Sequence, residues 1–279
     1  MITLFSKHLH WLDIADMACT TADIGFDGVD LTIRPNGHVT PEKVEEDLPK
    51  AAEYCKQAGI EIVMLSAAIS NISQPFTEKI LKTAASLGIK HYRMDWYYYN
   101  PGISIEQNYA DFKARMKDLA AMNEHYGIKG SYQNHDGDWF GSAVWDLALI
   151  LNEINSEWLG CQYDILNATL EGNNSWPVAL EYIAPFIHSI DIKDAQWSNS
   201  NGEWNLKYVP LGKGGVDFKR FFQLLRKFKV NVPFSLHLEY NLGGAETGAT
   251  EISIPAKDIL SAIEKDLKML KNSLSENQC

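Results

Sequence analysis

The chain has 279 residues, 46% of them hydrophobic and 22% charged, an ordinary globular composition with enough apolar material for one large core. Its formal net charge of −11 repels phosphate backbones, which argues against nucleic acid as a general partner. No apolar run reaches the length of a membrane span, and Cys19, Cys55, Cys161 and Cys279 form no Cys-x-x-Cys pair, so membrane, zinc-ribbon and redox-motif readings fail.

Met1-Ile2-Thr3-Leu4-Phe5-Ser6 carries no charged segment leading into an apolar one. The expected location is therefore the cytoplasm, or the periplasm where a leader has been removed. Strand one is predicted over Ile2–Phe5, followed by a helix over 11–22. A repeated unit then begins, in which a helical stretch closes on glycine and about five strand-like residues follow. It reads Gly25-Phe26-Asp27-Gly28-Val29-Asp30, then Gly59-Ile60-Glu61-Ile62-Val63-Met64, then Gly88-Ile89-Lys90-His91-Tyr92-Arg93. It recurs as Gly127-Ile128-Lys129-Gly130-Ser131-Tyr132-Gln133 and Gly160-Cys161-Gln162-Tyr163-Asp164. The glycines are 34, 29, 39 and 33 residues apart, the length of a βα module, and glycine suits the left-handed position that closes a helix. Strands seven and eight are predicted over 187–193 and 234–239. Amphipathic helices are predicted over 41–58, 77–87, 105–126, 144–153, 218–228 and 255–274, with a short helix over 176–186. Pro41 and Pro255 stand where helices begin.

Eight strands alternating with eight helices predict one (β/α)8 TIM barrel domain spanning 1–279. A doubly wound open sheet would want a glycine-rich loop after strand one, and Leu4-Phe5-Ser6-Lys7-His8 offers none. Residues 194–215 read as a long irregular loop over the active face. The glycines of 212–215 lack phosphate-loop spacing and read as a tight turn. Cys19 and Cys55 in helices and Cys161 in a strand read as buried small hydrophobes.

In a barrel, alternate strand residues point inward, and those near the C-terminal strand ends reach the site. Alternation gives Ser131, Gln133 and His135 on strand five and Gln162 and Asp164 on strand six. It gives Ser189, Asp191 and Lys193 on strand seven and Ser235, His237 and Glu239 on strand eight. Buried groups of this kind are costly unless paired or bound, so they imply a polar pocket over strands five to eight. Trp96 and Tyr97 to Tyr99 follow strand four, Trp139 and Phe140 strand five, Trp176 strand six, and Trp197 and Trp204 strand seven. Such a wall suits the C–H faces of a sugar. Arg93 could pair with a substrate carboxylate or phosphate or with a buried acid. No basic cluster calls for a phosphorylated substrate.

The order and spacing of Gly25 to Asp30, Tyr132-Gln133-Asn134-His135-Asp136-Gly137, Tyr163-Asp164 and Ile192-Lys193-Asp194 resemble the xylose isomerase-like TIM barrels. So do Pro210 to Phe218 and Ser235-Leu236-His237-Leu238-Glu239, and the resemblance covers essentially the whole chain. That superfamily holds sugar and sugar-phosphate isomerases and epimerases and barrel-type apurinic endonucleases. In its isomerases and epimerases, strands five to eight present Glu, Asp, His and Glu to one divalent metal, and the two glutamates move protons. Here the first Glu falls on Gln133, the Asp on Asp164, the His of His-x-Lys-Asp on Asp191 and the last Glu on His237. A further family histidine falls on Asn167.

An amide is no general base, so the two-glutamate shuttle is absent as usually drawn. Gln133, Asp164, Asp191 and His237 form the expected ligand set for Mn²⁺, Zn²⁺ or Mg²⁺, with less negative charge than the family's. His237, Glu239, His135 and Lys193 are the expected catalytic groups. Arg93, Trp96, Trp139, Asn167 and Trp197 are the expected substrate contacts. The resemblance implies a sugar isomerase or epimerase that binds a small carbohydrate or polyol and moves a proton next to a carbonyl. The alternatives are a hydrolase or lyase acting on an oxidised sugar and a non-catalytic sugar-binding barrel. The repair endonuclease reading conflicts with the acidic charge.

Overall fold

The computed structural model describes residues 1–276. Eight parallel strands close into a barrel: β1 (Ile2–Phe5), β2 (Gly28–Ile33), β3 (Glu61–Ala67), β4 (His91–Arg93), β5 (Lys129–Gln133), β6 (Leu159–Asp164), β7 (Ile187–Ile192) and β10 (Phe234–Leu236). Neighbours follow chain order, and β10 closes the ring on β1 with Thr3 opposite Ser235. The helices lie between the strands: α1 (Ile14–Ile24), α2 (Val44–Gln57), α3 (Thr77–Ser86), α4 (Ile105–Tyr126), α5 (Val144–Ile154), α6 (Ile165–Gly172), α7 (Trp176–Ile183), α8 (Phe218–Lys227) and α9 (Ala256–Glu276). Among the described residues no helix is long and apolar enough to cross a membrane.

Local chemistry explains where the elements begin and end. The Ser104 hydroxyl and the Gln107 side chain make a capping box at the start of α4, and Gly127, at φ 65°, closes it. Asp217 caps α8 by accepting from the Arg220 backbone N–H at 3.0 Å. Phe218, Phe221, Phe222 and Leu225 then recur at helical spacing and bury one face.

Three expectations are corrected. Gly160 does not close a helix. Asn155, at φ 49°, ends α5, and Gly160 lies inside β6, where a Cβ would meet the Phe186 carbonyl oxygen and the His188 ring. Residues 194–215 are not irregular throughout. They hold an antiparallel hairpin of β8 (Asp194–Ser200) and β9 (Glu203–Val209), turned by Asn201-Gly202 with φ 55° and 86°. An Asn-Gly pair supplies the two positive φ angles of a type I′ turn, a signal already present in the sequence. Cys19 is exposed, while Cys55 and Cys161 are buried as expected, and Cys279 lies outside the described residues.

The loop after the hairpin is wrapped around one carboxylate. Asp194 accepts from the backbone N–H groups of Gly212, Gly214, Val216 and Ala195 at 2.8–3.2 Å. A Cβ on Gly214 would meet both the Asp194 carboxylate and the Ala195 carbonyl oxygen, so its glycine serves close approach. Gly214→Ala is expected to cost about 1–3 kcal/mol of stability by overpacking, read as a lower midpoint in urea unfolding.

Candidate active site

The C-terminal end of the barrel is floored by buried carboxylates. Asp30 on β2 accepts from Ser66 Oγ at 2.8 Å and from Ser235 Oγ at 2.9 Å. β1 stands between β2 and β10, so the Ser235 bond crosses the barrel interior. Asp191 on β7 accepts from the Gln162 amide at 2.7 Å and from the Gln133 amide. Asp164 on β6 accepts from Lys193 Nζ at 2.9 Å, from Gln133 Nε2 at 3.3 Å and from the Asn167 backbone N–H at 3.0 Å. His237 Nε2 lies 3.3 Å from Asp191 Oδ1 and 4.0 Å from Asp30 Oδ2. The Phe5 ring stacks on His237 with centroids 4.4 Å apart.

Above this floor opens a cavity of about 200 Å³ walled by Phe5, Trp96 and Tyr208. Gln133, His135, His237 and Glu239 reach it, together with the cations Lys7, Arg34, Arg93 and Lys193. Lys7 pairs with both oxygens of Glu239 at 3.0 Å. Burial works to raise the Glu239 carboxyl, but Lys7, His8, His237 and Lys193 together hold it down at about 2. Burial likewise works against the charge of Lys193, but Asp164, aided by Glu239 and Tyr208, holds the ammonium above the ordinary lysine range. Desolvation raises the Asp30 carboxyl against the pull of His237 and Arg93. Asp191 is shifted down: its burial is outweighed by His237 and Arg93 and by its hydrogen bonds.

His135 lies beyond the end of β5 and has a different environment. Its Nδ1 lies 2.9 Å from the Asp136 carbonyl oxygen, its ring packs edge-on against Trp96 at 4.9 Å, and its side chain is 30% exposed. Among the described residues no partner takes Nε2. Trp96 Nε1 and Arg93 Nε are buried and have no hydrogen-bond partner among the described residues.

A xylose isomerase-like TIM barrel model matches residues 20–272. The chain belongs to that family. Among solved structures it resembles a D-psicose 3-epimerase determined in the presence of D-fructose, at 14% identity over 98% of this chain and 99% of that one, TM-score 0.75. It also resembles the IOLI protein with a zinc atom, at 16% identity over 99% and 98%, TM-score 0.75. A third is the E. coli 3-keto-D-glucoside 4-epimerase YcjR, at 15% identity over 93% and 94%, TM-score 0.68. No curated protein matches the sequence.

As a member of the xylose isomerase-like family, the chain divides the four expected ligands into two groups. Asp191 and His237 join Asp30, one ligand atom from each residue lying within 4.8 Å of the others, a spacing that could hold a metal ion. Gln133 instead turns its amide nitrogen toward Asp164 and Asp191 and accepts from Arg93 at 3.0 Å, while Asp164 is engaged by Lys193. Lys193 therefore pairs with Asp164 and not with neighbouring Asp194.

Of the expected substrate contacts, Arg93 and Trp96 line the cavity. Trp139 packs on Trp96 and His135 one layer back. Asn167 is buried, with its amide nitrogen donating to the Asn134 carbonyl at 2.9 Å. Trp197 is 58% exposed on β8 and is not among the cavity-lining residues. Trp204 is exposed on β9, and Trp176 is buried against Phe221. Asp30, Lys7 and Arg34 escaped sequence reasoning. Asp30 had the signal of inward alternation with Gly28 and Thr32, but Lys7 and Arg34 lie just past the ends of β1 and β2 with no marker of their own.

Proposed function

We propose that the chain is a sugar isomerase or epimerase that binds a small carbohydrate or related polyol in this cavity and moves a proton at the carbon next to its carbonyl. One observation carries the reading: His135 lines the cavity with an imidazole nitrogen that has no partner among the described residues, on a ring anchored through its other nitrogen. A neutral ring that donates from Nδ1 to the Asp136 carbonyl keeps a lone pair on Nε2, the state a general base needs. The other expected proton carriers suit the task less. Lys193 is held charged by Asp164, and Glu239 is held ionised by its cationic neighbours, too weak a base to take a proton from carbon. They orient substrate hydroxyls instead, Lys193 as a donor and Glu239 as an acceptor. The Trp96 indole N–H, buried and without a partner, would donate to a further substrate oxygen.

A divalent ion fits the spacing of Asp30, Asp191 and His237, two carboxylates and one imidazole. Those three would hold it, and when bound it would supply Lewis-acid polarisation of the substrate carbonyl. Chelator-free protein is expected to carry close to one Mn, Zn or Mg per chain by elemental analysis, and His237→Gln to lose it. Incubating the protein with ketoses and aldoses and following epimers by NMR tests the activity. A second reading, a non-catalytic sugar-binding barrel, draws on the Lys193–Asp164 pair and on Gln133, which engage two of the four family ligand positions. Saturable sugar binding with no epimer formed by metal-loaded protein would favour it.

A further inference from the structure

We infer that the sugar taken by this cavity carries an anionic oxygen group, a carboxylate or a phosphate, seated between Arg34 and Arg93; this deepens the proposed function and rests on it. Both guanidinium groups lie over the same ring, Arg34 at 5.5 Å and Arg93 at 5.6 Å from the centroid of Phe5. Both line the cavity. The remaining cations there are already matched, Lys7 by Glu239 and Lys193 by Asp164, each at 3.0 Å or less.

The two arginines are not matched in this way. Arg93 is 7% exposed; its Nη1 donates to the neutral Gln133 amide oxygen, and its Nε is buried without a partner among the described residues. The Arg34 guanidinium makes no hydrogen bond or ion pair among the described residues, although the residue is partly buried and its backbone is bonded to Val39 and Gly37. Burial and the nearby Arg93 both push its guanidinium below the ordinary range. The carboxylates that act on the pair have other partners: Asp30 and Asp191 take Ser66, Ser235, Gln162, Gln133 and His237, Glu239 takes Lys7, and Asp95 accepts from the Trp96 backbone N–H. Two like charges share a desolvated pocket, in which the Arg34 guanidinium and Arg93 Nε have no protein acceptor among the described residues. An anionic oxygen group relieves their repulsion and accepts from both forks. The neutral hydroxyls of an unmodified sugar could accept hydrogen bonds but not offset the charge.

The cavity lining holds four cations and the Glu239 carboxylate, against an overall charge of −11. The cluster is not visible along the sequence. The four cations come from the ends of β1, β2, β4 and β7 and meet only when the barrel closes.

The test is calorimetric titration of the full-length, metal-loaded protein with D-fructose, D-glucuronate and D-fructose 6-phosphate. At least one of the two anions is expected to bind ten-fold or more tightly than D-fructose, and which one does identifies the group. Arg34→Gln is expected to erase that preference and Arg34→Lys to keep part of it, with melting curves confirming that both variants fold. D-fructose binding as tightly as both anions, or a preference that survives Arg34→Gln, would overturn the inference. Catalysis on neutral sugars alone would defeat it while leaving the proposed function intact. Anion binding with no chemistry would instead defeat the proposed function.

Discussion

Asp164→Ala is expected to lower folding stability by about 3–5 kcal/mol, the range for breaking a buried ion pair by removing one partner. Asp164 is fully buried, and its loss leaves the Lys193 ammonium, itself 5% exposed, without its carboxylate at 2.9 Å. The Gln133 amide and the Asn167 backbone N–H lose an acceptor as well. Urea unfolding reads the effect. The cost belongs to a stranded charge more than to a lost contact, so Lys193→Met in the Asp164→Ala background is expected to recover part of it. A double variant as unstable as the sum of the two single variants would show that Lys193 and Asp164 are not coupled.

His135→Gln is expected to slow proton transfer by a factor of about 10²–10⁴, the usual contribution of a positioned acid or base. Substrate affinity and bound metal are expected to stay within about two-fold of native, because His135 is outside the Asp30, Asp191 and His237 cluster. Its side chain is 30% exposed, so the fold is expected to tolerate the change within about 0.5 kcal/mol. A variant that retained native turnover would remove His135 from the chemistry and return attention to His237. His237→Gln gives the complementary pattern, with metal and activity lost together.

The fold was largely legible because each βα unit carries its own local marks. The α4 helix runs over the predicted 105–126, since a capping box opens it and Gly127 closes it. The short helix α6 was missed: it springs directly from Asp164, whose side chain caps it, so one residue ends a strand and starts a helix. The hairpin of β8 and β9 was missed although Asn201-Gly202 announced its turn and Trp204, Leu206 and Tyr208 alternate with polar residues along β9; β8, with Asn and Ser through 198–200, carries no such alternation.

The site was half legible for a different reason. Alternation along β5 to β7 and at the end of β10 placed Gln133, Asp164, Asp191 and His237 correctly at the barrel interior, but it cannot say which group faces which. Asp30 meets Ser235 across 205 positions of sequence, and Lys7 meets Glu239 across 232. Those meetings depend on β10 closing against β1, a long-range event that leaves no periodic trace near either residue. The same closure gathers the arginines and lysines of the cavity.

We propose that this cavity moves a proton on a carbon next to a carbonyl. It is tested most directly by incubating native protein, loaded with Mn²⁺ or Zn²⁺, in D₂O with each neutral and anionic sugar and reading carbon-bound deuterium by NMR. Deuterium is expected at the position next to the carbonyl of one sugar, at a rate that collapses in His135→Gln. Sugars that bind saturably yet take up no deuterium under any metal condition would contradict it.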